Sequence, residues 1–153
     1  MNSQQKTRSK SIIVRRDSVA AGDDVFAPHE QKINVESDES LEFTLEKILA
    51  THYLPSILGG KATWIVVGKN PLAVTAQQWS KPHFLVEPVT RTQDLIDFTN
   101  EWQLEFRYWC QVEPNEVVAS IKQEKPLPDK YGRDKKKLGN IFERIRELFS
   151  KSS

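Results

Sequence analysis

Ala62-Thr63-Trp64-Ile65-Val66-Val67 decides the fold. Its β-branched and aromatic side chains, entered through Gly59-Gly60 and left through Lys69-Asn70-Pro71, predict a strand between two turns. Leu72–Trp79 then returns as a second strand, with Leu72, Val74 and Ala76 on one face. Before this pair, Leu41, Leu45, Ile48 and Leu49 stand at i, i+4, i+7 and i+8, the stripe of an amphipathic helix. Ser37 or Ser40 caps that helix, and Glu39 and Glu42 suit its dipole. Pro55 disfavours helical geometry at Leu54, so the helix should end near His52–Tyr53.

Farther out, Ser11–Arg16 is short and β-branched, and Gln31–Glu36 alternates with Ile33 and Val35 on one face. Both read as strands. On the C-terminal side, His83–Val86 reads as a short strand. Thr90–Asn100 reads as a short helix or a packed loop around Leu95, Ile96 and Phe98. Leu104–Cys110 alternates apolar and charged residues, which predicts a strand with one wet face. Glu113–Ile121 predicts a short helix, with Pro114 in the first turn where a missing N–H costs nothing. The order β-β-α-β-β-β-β-α is that of an α+β domain: a mostly antiparallel sheet with two helices packed on one side.

Composition divides the 153 residues further. Residues 1–10 form a Ser/Gln/Lys-rich arm with nothing to bury, expected to be disordered. The domain spans 11–121, a Pro/Lys-rich basic linker 122–137, and an amphipathic helix 138–150. In that last segment Leu138, Ile141, Phe142, Ile145, Leu148 and Phe149 share one stripe, and Glu143, Arg144, Arg146 and Glu147 occupy the other face. An isolated helix of that length is marginal in water, so it needs a surface to rest on. The candidates are its own domain or a second copy, a partner's groove taking Phe142, Ile145 and Phe149, or an anionic membrane surface aided by Lys135-Lys136-Lys137.

The formal charge of +1 conceals a partition. Residues 1–16 hold five bases and no acid, 17–121 hold seven bases against sixteen acids, and 122–153 hold ten bases against five acids. An acidic body attracts cationic partners. The same charge, with Glu105 in the aromatic strand, argues against nucleic acid stacking on the sheet. One cysteine, Cys110, excludes an intrachain disulfide and reads as a buried, inert thiol. No apolar run approaches the length of a membrane span and the first 15 residues have no hydrophobic stretch, so a cytoplasmic location is expected.

Catalytic motifs are lacking. His29, His52 and His83 are scattered, and Gly59-Gly60-Lys61 has neither the length nor the Ser/Thr of a phosphate-binding loop. Neither a cofactor nor a metal site is implied. The acids Asp17, Asp23, Asp24 and Glu30, with His29, crowd the loop Arg15–Glu30, whose spacing departs from the EF-hand pattern. They can stabilise turns around Gly22, with Asp17 bonding nearby backbone N–H groups, face a cationic partner or, against that spacing, hold a hard cation such as Ca²⁺. Tyr108 and Trp109 are neighbours on a strand and point to opposite faces, so one large ring lies away from the principal core. Trp109 is the expected aromatic anchor of a partner surface.

Arg16–Asp24 (R-D-S-V-A-A-G-D-D) with A-P-H-E behind it resembles the start of small uncharacterised bacterial proteins. G-G-K-A-T-W-I-V-V with A-Q-Q-W, and L-E-F-R-Y-W-C-Q with P-N-E-V, extend the resemblance over residues 12–121. That resemblance implies a toxin-immunity role. The expected function is therefore a non-enzymatic, inhibitor-like protein. Its acidic body would neutralise a basic protein such as a nuclease toxin, through Asp17, Asp23, Asp24, Glu30 and Trp109. The alternative is a peripheral membrane or scaffold-associated protein directed by the tail helix.

Overall fold

The computed structural model describes residues 8–19 and 28–131. The six strands are β1 (Lys10–Arg16), β2 (Glu30–Val35), β3 (Thr63–Val67), β4 (Pro71–Ala76), β5 (His83–Phe84) and β6 (Leu104–Tyr108). Between them lie α1 (Leu41–Ala50) and α2 (Thr92–Leu95), and α3 (Pro114–Lys122) follows. The strands form one sheet in the order β2-β1-β6-β3-β4-β5. Every neighbouring pair is antiparallel except β1–β6, which is parallel. Two hairpins thus flank a strand that arrives last and lies between them, in an α+β architecture.

Local chemistry accounts for the boundaries. Ser40, rather than Ser37, caps α1, its hydroxyl accepting from the Phe43 N–H at 3.2 Å. The helix closes at Thr51, and His52 turns the chain away at φ 53°, a left-handed position that ends helices. Pro71 opens β4, a position where a strand tolerates its missing N–H. Gly59 and Gly60 hold φ values of 96° and 75°, as the turn before β3 requires. The ambiguous stretch 90–100 resolves into the single turn of α2 and a loop that buries Ile96.

β3 is buried throughout, and its alternation feeds two cores. Trp64 and Val66 join Ile12, Leu45, Ile48 and Phe106 beneath α1. Ile65 and Val67 face the other way and meet Val74, Val117, Ile121 and Leu127 beneath α3. The two longer helices therefore cover opposite faces, which corrects the one-sided arrangement expected from the sequence. The physical reason is the unbroken apolar run of β3: a strand apolar at every position needs cover on both faces.

Two polar ties fix α1, one to the sheet and one to α2. The Tyr53 hydroxyl, just past the helix, donates to the carbonyls of His29 (2.8 Å) and Val14 (3.2 Å), and burial pushes its phenol far above the ordinary range. At the other end Glu39, 7 % exposed, accepts from the Thr44 hydroxyl (2.8 Å) and pairs with the Lys47 ammonium at 2.6 Å. The Thr44 hydroxyl lies 2.6 Å from that of Thr92, carrying the network into α2.

The described chain continues past α3. Leu127 is buried and Pro128 is bonded to the core, although composition reads this stretch as linker. Residues 138–150, with the proposed binding face Phe142, Ile145 and Phe149, lie outside the described residues. No helix among the described residues is long and apolar enough to cross a membrane.

Tyr53→Phe should lower stability by about 1 kcal/mol, the usual contribution of such a hydrogen bond, read from the urea midpoint at constant slope.

Candidate functional site

Asp17 stands just beyond β1, where the strand would otherwise leave β6. Its N–H donates to the Phe106 carbonyl (2.9 Å), and its Oδ2 accepts the Tyr108 N–H (2.9 Å). The carboxylate thus extends the ladder by one rung and holds the end of the parallel seam. It bonds a backbone N–H, as a turn-stabilising acid would, but one that is 91 positions away in the chain. Beside it Arg16 is 2 % exposed, its Nε donating to the Pro28 carbonyl (2.8 Å) and its Nη1 to that of Asp17 (3.0 Å).

Glu30 is exposed at the start of β2. It lines a cavity of about 410 Å³ with Asp17, Ser18, His29, Glu101 and the two arginines of β1. Two of the expected partner-facing acids therefore share one surface. Asp23 and Asp24 lie outside the described residues. Within the cavity the Ser18 hydroxyl sits 3.3 Å from His29 Nδ1, a juxtaposition absent from the sequence pattern. That distance is long beside the roughly 2.6–3.2 Å of an activated nucleophile and its base, and both residues are exposed. The geometry is that of a loose surface contact.

Trp109 is not at a surface. It is 2 % exposed, its indole N–H donates to the Pro128 carbonyl (2.9 Å), and the Lys130 ammonium lies 4.6 Å from its ring centre. Its neighbour Tyr108 does turn to the opposite face, tilted over Trp64 at 4.7 Å between ring centres. The ring pointing away from the principal core is covered by α3 and the Leu127–Lys130 segment. A partner has no access to it, so the expected anchor is a core residue.

Large apolar side chains are exposed at Leu58, Phe98 and Tyr131, and also on the outward face of α1. Phe43 is 53 % exposed, and Val89, on the segment before α2, is 74 % exposed. The first turn of the helix joins the two regions: the Leu41 N–H donates to the Thr90 carbonyl (2.8 Å) and that of Glu42 to Pro88 (3.0 Å). Glu42, Glu46, Asp38 and Glu87 are exposed around them. Among the described residues the nearby cations are committed. Lys47 pairs with Glu39 and the Asn34 carbonyl (2.7 Å) and lies 5.5 Å from the Phe43 ring centre, and Arg91 pairs with Asp94 at 2.9 Å. What remains is an acidic rim around two apolar knobs. Such a surface attracts a cationic partner through its rim and desolvates against it at its centre.

Sequence reasoning overlooked this face, although Phe43 carried a signal. It lies off the Leu41/Leu45/Ile48 stripe, directly after Glu42 and one turn before Glu46, on the charged side of the helix.

No family model and no curated protein matches the sequence. Among solved structures, the chain is similar to the coiled-coil, RA and PH domains of Lamellipodin, at 13 % identity and a TM-score of 0.32. The match takes in 91 % of this chain and 46 % of that one, so this chain spans less than half of its length. A superposition that loose assigns neither fold nor function.

Trp109→Ala should cost about 3–5 kcal/mol of stability, whereas Phe43→Ala should stay within about 0.5 kcal/mol. Urea unfolding of both variants checks the contrast.

Proposed function

We propose that this is a non-enzymatic, cytoplasmic binding protein whose acidic α1 face neutralises a basic protein partner. Nuclease toxins, with their cationic nucleic-acid clefts, are the class of partner this chemistry suits. The observation that carries the reading is the exposure of Phe43 and Val89 inside a ring of acids whose neighbouring cations are already paired. Exposed aromatics are the residues from which interface hot spots are made, and the surrounding carboxylates accelerate encounter.

In this reading Asp17 is a strand tie and Trp109 a core residue. Glu30 and Glu101 add negative field from a different surface. The acids that contact the partner are Glu42 and Glu46, one helical turn apart on α1.

Immobilised full-length chain, challenged with native lysate and washed at low and high salt, tests the proposal. The wild type should retain a basic protein whose binding weakens with salt. Glu42→Lys with Glu46→Lys should reduce that retention tenfold or more and flatten its salt dependence. Phe43→Ala should weaken it by about 2 kcal/mol at every salt concentration, the threshold of a hot spot. Equal retention by all three chains would contradict the α1 face as the contact.

A further inference from the structure

Among the described residues β2 is an edge strand, with β1 as its one neighbour in the sheet. The opposite edge, β5, has two residues; β2 has six. The phase of the β1–β2 ladder follows from one bond: the Arg16 N–H donates to the His29 carbonyl (2.9 Å). Hydrogen-bonded pairs alternate along an antiparallel ladder, and the register sets Val14 opposite Gln31 and Ile12 opposite Ile33. Gln31, Ile33 and Val35 therefore bond to β1. Glu30, Lys32 and Asn34 aim their N–H and C=O groups away from the sheet. Among the described residues, one of these outward groups has a partner: the Asn34 carbonyl, held by the Lys47 ammonium at 2.7 Å.

We infer that a second copy of the chain pairs with this edge, antiparallel and about a twofold axis at Gln31, joining two six-stranded sheets into one. Three observations select that register. First, it sets Glu30 of each copy directly opposite Lys32 of the other, and opposite charges in that position attract. An axis at Glu30 or at Lys32 would instead set like charges face to face. Second, it sets Asn34 opposite Pro28 of the second copy. The ladder ends there: Pro28 has no N–H to donate and its carbonyl is held by Arg16, while the Asn34 carbonyl is held by Lys47, so the Asn34 N–H stays with solvent. An axis at Ile33 would ask the Asn34 carbonyl to accept from another strand. Third, Gln31 Oε1 is buried without a hydrogen-bond partner in the single copy. On the axis the two Gln31 side chains meet, and a turn of each amide gives that oxygen the N–H of its twin.

Lysine on an open edge discourages indiscriminate strand pairing. Here the alternation Glu30-x-Lys32 admits its own antiparallel copy and repels the registers on either side. The interface is isologous, so it closes at two copies. It is also a single seam, so association should be weak and dependent on concentration.

Sedimentation equilibrium of the full chain over a concentration series tests the inference. The wild type should approach twice the mass of one chain. Glu30→Lys alone and Lys32→Glu alone should each remain single chains at concentrations where the wild type is paired. Both changes together restore the opposite charges and should restore the dimer. An equimolar mixture of the two single variants should form a mixed pair. Both side chains are exposed, and circular dichroism confirms that each variant is folded. A wild-type mass of one chain up to the highest soluble concentration overturns the proposal, as does a dimer that survives Lys32→Glu. A double variant that stays single overturns the register.

Discussion

Everything in the sheet follows from where β6 lies, parallel to β1 on one side and antiparallel to β3 on the other. The β1–β2 and β3–β4 hairpins form from residues close in sequence, but neither builds a sheet alone. β6 reaches them from far along the chain and joins them. A parallel pairing needs a long connection, and the intervening residues supply one that also carries α1 across the joined face. The parallel seam is held at both ends by side chains acting on backbone. Gln103 Oε1 accepts the Ile13 N–H (2.8 Å), and Asp17 Oδ2 accepts the Tyr108 N–H (2.9 Å). Each satisfies a donor that the ladder would otherwise leave unpaired, and such donors are costly when buried.

Placing β3 and β6 at the centre determines what the surface can do. Central strands need cover on both faces, so α1 seals one side and α3 with the Leu127 segment seals much of the other. Trp109 is consumed in that second seal. Among the described residues the large apolar groups left in water include Phe43 and Val89, on two segments that the first turn of α1 joins and that also carry Glu42, Glu46 and Glu87. The same order leaves β2 at the rim, with the outward backbone groups of Glu30 and Lys32 open among the described residues. Both proposed binding surfaces, one helix face and one strand edge, are thus set by topology.

Element types were legible in the sequence because their periods are clear: four apolar residues at helical spacing in α1, an unbroken β-branched run in β3. The position of each helix was not. Which face a helix covers depends on sheet order, and sheet order depends on a pairing between residues some 90 positions apart, which periodicity does not encode. The Tyr108/Trp109 split was legible, since strand neighbours must diverge, but its consequence was misread. Pro126-Leu127-Pro128 resembles a linker in composition, and nothing local marks Leu127 as the lid over Trp109. Asp17 was visible as an acid in an acidic loop. Its role as a rung of the sheet requires β6 beside it, and the charge count assigned it to a partner instead.

The central claim is that β6 is an interior strand, tied by Asp17 and sealed over Trp109. Residue-resolved hydrogen exchange on the full-length chain tests it most directly, at the Tyr108 amide and the Trp109 indole N–H. Both should exchange only through global unfolding, with the same dependence on denaturant, and Asp17→Asn should speed the Tyr108 amide ahead of the indole. Exchange of either proton at the rate of an open loop in the wild type would contradict the interior placement, and with it the assignment of binding to the α1 face.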